Sequence, residues 1–174
     1  MQVSSPLLIN TNQFSLSELK AVIKQLKPSK AFGPDNIPAL IWKDPVFNRL
    51  LLNLCNHTYL TQTPPKIWHE SQIIPMPKKG DLSLATNYRG ISLTAISAKI
   101  YNKLLLNRLI PFVGPILRKN QNGFRHGRST LSQILCLRRL IEESNLSKLD
   151  LVLVFVDFSN ASDSVDRSRM FKIY

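Results

Sequence analysis

Residues 149–167 read LDLVLVFVDFSNASDSVDR, and this stretch carries more of the fold than any other. Within it, 151–156 is an unbroken run of six valine-rich aliphatic and aromatic residues, which predicts a strand buried on both faces. Asp157 and Phe158 close the run, and Ser159-Asn160 open a turn. A carboxylate delivered on a rigid strand end is well held for Mg²⁺, which takes one or two protein oxygens and leaves room for phosphates. Asp is also common where strands pass into turns, so a plain turn-capping Asp157 is the structural alternative.

The rest of the chain narrows the choice. With 23 Lys and Arg against 11 Asp and Glu in 174 residues, the formal net charge is +12, which points to a polyanionic partner. Between 82 and 141 there is no Asp or Glu, while Arg89, Lys99, Lys103, Arg108, Arg118, Lys119, Arg125, Arg128, Arg138 and Arg139 all fall there. Ten cations without a counter-charge are costly to hold together unless phosphates neutralise them; a solvated basic face is the alternative. An anionic membrane surface fits less well. No apolar run approaches the roughly 20 residues that span a bilayer, and MQVSSPLLIN lacks the pattern of a signal peptide. Cys55 and Cys136 fall in helical patterns without CxxC spacing and read as buried thiols of a reducing, intracellular compartment. His57, His69 and His126 form no recognisable ligand set.

Local signals place the elements. Residues 1–14 lack periodicity and read as a loose lead-in, followed by one continuous unit over 15–174. Ser15-x-x-Glu18 is a capping box before Leu16, Leu19, Val22, Ile23 and Leu26 at helical spacing, a helix ended before Pro28. KAFGPDNIP, 30–38, is a loop, and Pro45 opens a second helix carrying Val46, Phe47, Leu50, Leu51, Leu54 and Cys55. Pro64-Pro65 is a break. SQIIPMPKKGDLSLATNYRGISL, 71–93, predicts a β-hairpin with Lys78, Lys79 and Gly80 at its tip. Ile96, Ile100, Leu104, Leu105 and Leu109 predict a helix as far as Pro111, and Ser129 or Thr130 caps another that reaches about Asn145.

Two of these segments have the chemistry to hold phosphates. The hairpin lysines, with Arg89 on or near the returning strand, combine point charges with a bidentate fork. Gly123-Phe124-Arg125, in the loop QNGFRHGR, joins a flexible backbone, an aromatic face and a guanidinium, a trio suited to a base and its phosphate. Phe124 as a core anchor is the alternative.

Taken in order, KAFGPDNIP at 30–38, IIPMPKKGD at 73–81, NYRGISL at 87–93, QNGFRHGRST at 121–130 and FVDFSNASDSVDR at 155–167 resemble the reverse transcriptase domain of non-LTR (LINE-type) retrotransposons. Five collinear matches are far more specific than any single motif. The resemblance implies an α+β right-hand polymerase fold, with fingers and the first part of the palm in 15–174. It implies that Asp157 is the first catalytic aspartate and ligates Mg²⁺, assisted by the Phe158 carbonyl. Lys78 or Lys79, Arg89 and Ser162 would meet the incoming dNTP, and Gln121, Gly123, Phe124 and Arg125 the template and nascent pair. The implied partners are an RNA template, an RNA–DNA duplex and dNTP, with no membrane. The implied reaction is attack of a primer 3′-hydroxyl on the α-phosphate between two metals. Nuclear work is implied too, although no localisation signal is visible.

Departures qualify that expectation. No adjacent Asp-Asp pair occurs in the sequence, and only seventeen residues follow Asp157. One carboxylate does not hold two Mg²⁺ about 3.5–4 Å apart, so the chain is expected to be an N-terminal fragment, inactive alone, with its apolar palm run partly uncovered. Asp163 and Asp166 are expected to cap the next helix. Ser162 stands where the family has Phe, Asn160 where it has Lys, Gly90 where it has Pro, and Phe32 and Asn36 where it has smaller residues. A basic RNA- or DNA-binding module without chemistry, or a decayed element copy, is the alternative.

Overall fold

A computed structural model describes residues 8–29, 31–158, 161 and 164–173. They divide into two compact units, Met1–Leu117 and Arg118–Tyr174, although no Gly/Ser linker marks the boundary in the sequence.

The first unit contains helices α1 (Leu16–Lys24), α2 (Ala39–Lys43), α3 (Pro45–Thr61) and α4 (Ile96–Ile116), with strands β1 (Gln72–Pro77) and β2 (Tyr88–Leu93) before the last helix. The expected capping box is complete. Ser15 Oγ accepts from the Glu18 amide, and the Glu18 carboxylate accepts from the Ser15 amide at 2.8 Å. Asp44 caps α3 by accepting from Val46 N at 2.9 Å, ahead of Pro45 in the first turn. Leu19, Val22, Leu51, Cys55, Ile100 and Leu104 are fully buried where α1, α3 and α4 pack, and Trp42 on α2 joins them. Burial pushes the Cys55 thiol up to about 12, so it remains protonated and inert.

Three expectations need correction in this unit. Helix α4 does not stop at Pro111 but runs through it and Pro115. Both prolines lie on an exposed stretch, where water can satisfy the carbonyls that lose their helical donor. Helix α2 has five residues, too few to show helical periodicity, so the sequence pattern does not announce it. The lead-in is not loose over 10–14. Phe14 is buried, and Asn56 clamps its backbone, accepting from Phe14 N at 2.6 Å and donating to Phe14 O at 3.0 Å. The loop 31–38 is a loop as expected, and Gly33 lies so close to the backbone of Thr94 and Ala95 that any Cβ would overlap them, which fastens it to the start of α4.

The second unit has helix α5 (Thr130–Ser147), an extended segment over 149–158, and helix α6 (Arg167–Ile173). Ser129, not Thr130, caps α5 by accepting from Leu131 N at 3.1 Å. Asp166 caps α6 as expected, accepting from Ser168 N and Arg169 N. Asp163 lies outside the described residues. Cys136 is exposed, which corrects the expectation of two buried thiols. The run 151–156 is not a strand here, and it is not buried. Leu151 and Leu153 are about half as exposed as Val152 and Val154, but Phe155 and Val156 are both exposed, so strand-like alternation covers only 151–154. No described strand pairs with this run, and a ladder requires a partner as well as propensity.

Candidate nucleic-acid interface

The hairpin pairs β1 and β2 antiparallel, with Met76 opposite Arg89 and Ile74 opposite Ile91. Directly opposed residues share a face, so these two pairs and Lys78 project to the same side. Prolines 75 and 77 are tolerated because both strands are edges. Met76, Pro77, Lys78, Lys79, Arg89 and Ile91 line a cavity of about 600 Å³. Three cations thus rim an apolar floor with no carboxylate in the lining.

The tip holds its shape through its own hydrogen bonds. Lys78 N donates to Asn87 O at 2.7 Å, Asn87 Nδ2 to Asp81 O at 2.6 Å, and Tyr88 Oη to Leu82 O at 3.0 Å. Gly80, at φ +124°, adopts a backbone that other residues rarely reach. Asp81 accepts from Ser83 N at 2.9 Å, which holds its carboxyl below the usual range. The two lysines differ. Lys78 Nζ donates to Thr86 O at 3.1 Å and braces the turn, whereas no such contact engages Lys79 among the described residues.

In the second unit, Gln121, Gly123, Phe124 and Arg125 share one loop. Arg125 Nη1 donates to Arg118 O at 2.9 Å and to Gln121 O, and Gln133 Nε2 of α5 donates to Asn120 O at 2.7 Å. The guanidinium therefore shapes the loop. Phe124 is fully exposed and has φ 58°, a left-handed conformation that is costly for a bulky residue. It is not a core anchor.

Asp157 and Phe158 are exposed on the extended segment, and Ser162 lies outside the described residues. Among the described residues no three His, Cys, Asp or Glu side chains gather as a metal-ion site. A lone exposed carboxylate does not meet what two closely spaced Mg²⁺ require, so these residues do not fit that group by themselves.

The expected block of ten uncompensated cations is smaller than the sequence suggested. Arg108 pairs with Glu18 at 2.8 Å, and Arg138 and Arg139 pair with Glu142 at 3.0 and 3.2 Å. The partners lie outside the acid-free window, so a count confined to it misses them. Sequence reading also missed Asn87 and Tyr88 as braces of the tip; the Asn-Tyr pair at the start of the returning strand was the only signal for them.

A family profile described as reverse transcriptase (RNA-dependent DNA polymerase) matches residues 76–174, which include the hairpin tip, the Phe124 loop and Asp157. The chain belongs to the reverse transcriptase family. Its relatives place this reverse transcriptase domain in the non-LTR, LINE-type group. It is 32% identical over 170 residues to "Probable RNA-directed DNA polymerase from transposon BS" of Drosophila melanogaster, covering 95% of this chain and 18% of that protein. It is 31% identical over 170 residues to "RNA-directed DNA polymerase from mobile element jockey" of the same fly, covering 94% and 18%. "Transposon TX1 uncharacterized 149 kDa protein" of Xenopus laevis is 26% identical over 158 residues, covering 87% and 12%. The chain thus spans less than a fifth of the length of these relatives. The mixed helices and two-stranded sheet agree with the expected α+β class. No described helix is long and apolar enough to cross a membrane.

Proposed function

We propose that this chain is the nucleotide- and template-handling part of a retrotransposon RNA-directed DNA polymerase, with residues 15–174 forming the fingers and the start of the palm. The observation that carries this reading is the set of three cations, Lys78, Lys79 and Arg89, around one cavity of about 600 Å³ on the hairpin. Point charges and a guanidinium fork on an apolar floor suit the triphosphate and base of a dNTP. Gln121, Gly123, Phe124 and Arg125 would meet the RNA template or the RNA–DNA duplex, the exposed Phe124 ring serving as a stacking face.

Reverse transcriptases generally use Mg²⁺. Asp157, with the Phe158 carbonyl, would give such a centre one of its protein ligands, and Ser162 would face the sugar of the bound nucleotide. That no cluster of metal-ligating side chains forms among the described residues favours a second reading for these 174 residues by themselves, that of nucleic-acid and nucleotide binding without polymerisation. Primer extension on an RNA template separates the two readings. The 174-residue chain, its Asp157→Ala variant and a version carrying a palm Asp-Asp hairpin would be compared. Extension by the longer version alone, abolished by Asp157→Ala within it, is the expected result. Extension by the longer version that survives Asp157→Ala would remove Asp157 from the reaction.

A further inference from the structure

We propose that the outer edge of β2 takes the extended run 149–158 of a second copy of this chain as a third, antiparallel strand. The inference goes beyond the polymerase reading and does not depend on it.

The hydrogen-bond phase of the hairpin leaves this edge open. In an antiparallel pair, residues opposite each other alternate between exchanging their backbone bonds and turning them outward. Lys78 N donates to Asn87 O across the pair, and Pro75 and Pro77 have no N–H to give. The bonded pairs are therefore Met76 with Arg89 and Ile74 with Ile91, while Pro75, Pro77, Gly90 and Ser92 turn their backbone outward. On β1 the two prolines blunt the outer edge. The family has Pro at position 90, which would blunt the other edge as well, but Gly90 keeps its donor. Gly90 and Ser92 are exposed, and their outward backbone groups meet no partner among the described residues.

The same chain carries a matching strand. Residues 149–158 are extended and unpaired, and Val152, Val154, Phe155 and Val156 are 83%, 80%, 79% and 74% exposed. Charge fixes the register. The run holds Asp150 and Asp157 and no cation, whereas Lys78, Lys79 and Arg89 gather on the hairpin. Antiparallel addition with Asp157 opposite Arg89 sets Val156 against Gly90, Phe155 against Ile91 and Val154 against Ser92. A carboxylate then meets a guanidinium, and an aromatic ring meets a β-branched side chain. A slip of one residue loses both contacts. An unrelated apolar strand would satisfy the backbone equally but has no carboxylate matched to Arg89. Each copy offers one edge and one run, so assembly closes by reciprocal exchange or continues head to tail.

Sedimentation equilibrium of the full 174-residue chain should show a mean mass that rises with concentration. Gly90→Pro deletes the central donor of the edge, and a Cβ there meets only the end of the Ile73 side chain, Cγ2 at 3.1 Å. It should weaken association about ten-fold. Arg89→Asp and Asp157→Arg should each weaken it about three-fold, and the two combined in one chain should restore it. Cross-linking reads the register in a Cys136→Ser background. Ile91→Cys chains mixed with Phe155→Cys chains should form a disulfide-linked pair, because residues opposed between ladder bonds lie about 4.5 Å apart at Cα. The mass of a single chain at every concentration would overturn the proposal. So would association that Gly90→Pro and the charge reversals leave unchanged. A disulfide that forms only when both cysteines sit in one chain would overturn it too, since the occupant would not be a second copy.

Discussion

Arg108 and Glu18 meet across 90 positions of sequence in a two-point pair, Nε to Oε1 at 2.8 Å and Nη2 to Oε2 at 3.0 Å. The remaining guanidinium protons reach the carbonyls of Asn10, Asn12 and Gln13, and Cζ lies 4.3 Å over the Phe14 ring. One side chain on α4 thus ties down both α1 and the segment before it.

Arg108→Ala should therefore lower stability by about 3 kcal/mol, because it strands a carboxylate and three carbonyls together. Arg108→Lys should recover less than half of that, since an ammonium cannot reproduce the planar fork. Urea unfolding followed by tryptophan fluorescence measures both, and equal stability of the Lys variant and the parent would refute the fork argument.

The same pair makes stability depend on pH. The hydrogen bond from Arg108, aided by those from Ser15 and opposed by burial, lowers the Glu18 carboxyl from 4.5 to about 2. A folded-state value below the unfolded one stabilises the protein fully above about pH 4.5, and the contribution is lost as pH falls towards 2. Because the side chain is 34% exposed, solvent screening reduces the effect to about 1–2 kcal/mol. Glu18→Gln should be less stable than the parent at about pH 6, and the gap should narrow at about pH 3.

The two hairpin lysines should behave differently. Lys79→Ala is expected to weaken binding of inorganic tripolyphosphate by about five- to ten-fold, measured by calorimetry. Lys78 is partly committed to Thr86 O, so Lys78→Ala should cost about two-fold in affinity and also loosen amide protection in the tip. Identical losses in the two variants would mean that the tip offers its lysines interchangeably.

Phe124 offers a separation of stability from binding. A buried phenylalanine loses about 3–5 kcal/mol on truncation to alanine, but this one is exposed and strained. Phe124→Gly should leave stability unchanged or raise it by about 1 kcal/mol, while weakening single-stranded RNA by about five-fold or more through the lost stacking. Calorimetric melting and fluorescence anisotropy on the same samples decide the matter.

What was legible in the sequence was what neighbours dictate. The Ser15–Glu18 capping box, Pro45 at the start of α3 and the tip at Lys78-Lys79-Gly80 all depend on residues a few positions apart. Glu18 and Arg108 gave no sign of each other, because charge alone does not say which distant partner the packing of α1 on α4 supplies. Likewise α4 looked finished at Pro111, since the pattern does not show that water reaches the carbonyls there. The run 151–156 has strand composition, but hydrogen-bond pairing depends on residues that its own composition cannot specify. Of the residues singled out in the sequence, Lys78, Lys79 and Arg89 line one cavity, Phe124 is exposed and so is not the core anchor that its type alone allowed, and no metal-ligand cluster forms among the described residues.

The pairing of Arg108, Arg138 and Arg139 with carboxylates bears on how nucleic acid would leave this protein as ions are added. Each phosphate neutralised on a single strand contributes about 0.7 to the slope of log affinity against log salt. Were all ten cations between 82 and 141 available, that slope would approach about 7; with Glu18 and Glu142 offsetting two of those charges, about eight remain, and it should not exceed about 6. Counterion release is therefore governed by the arginines and lysines that folding leaves unspent, and the region's grip on RNA should resist rising ionic strength better than its composition implies.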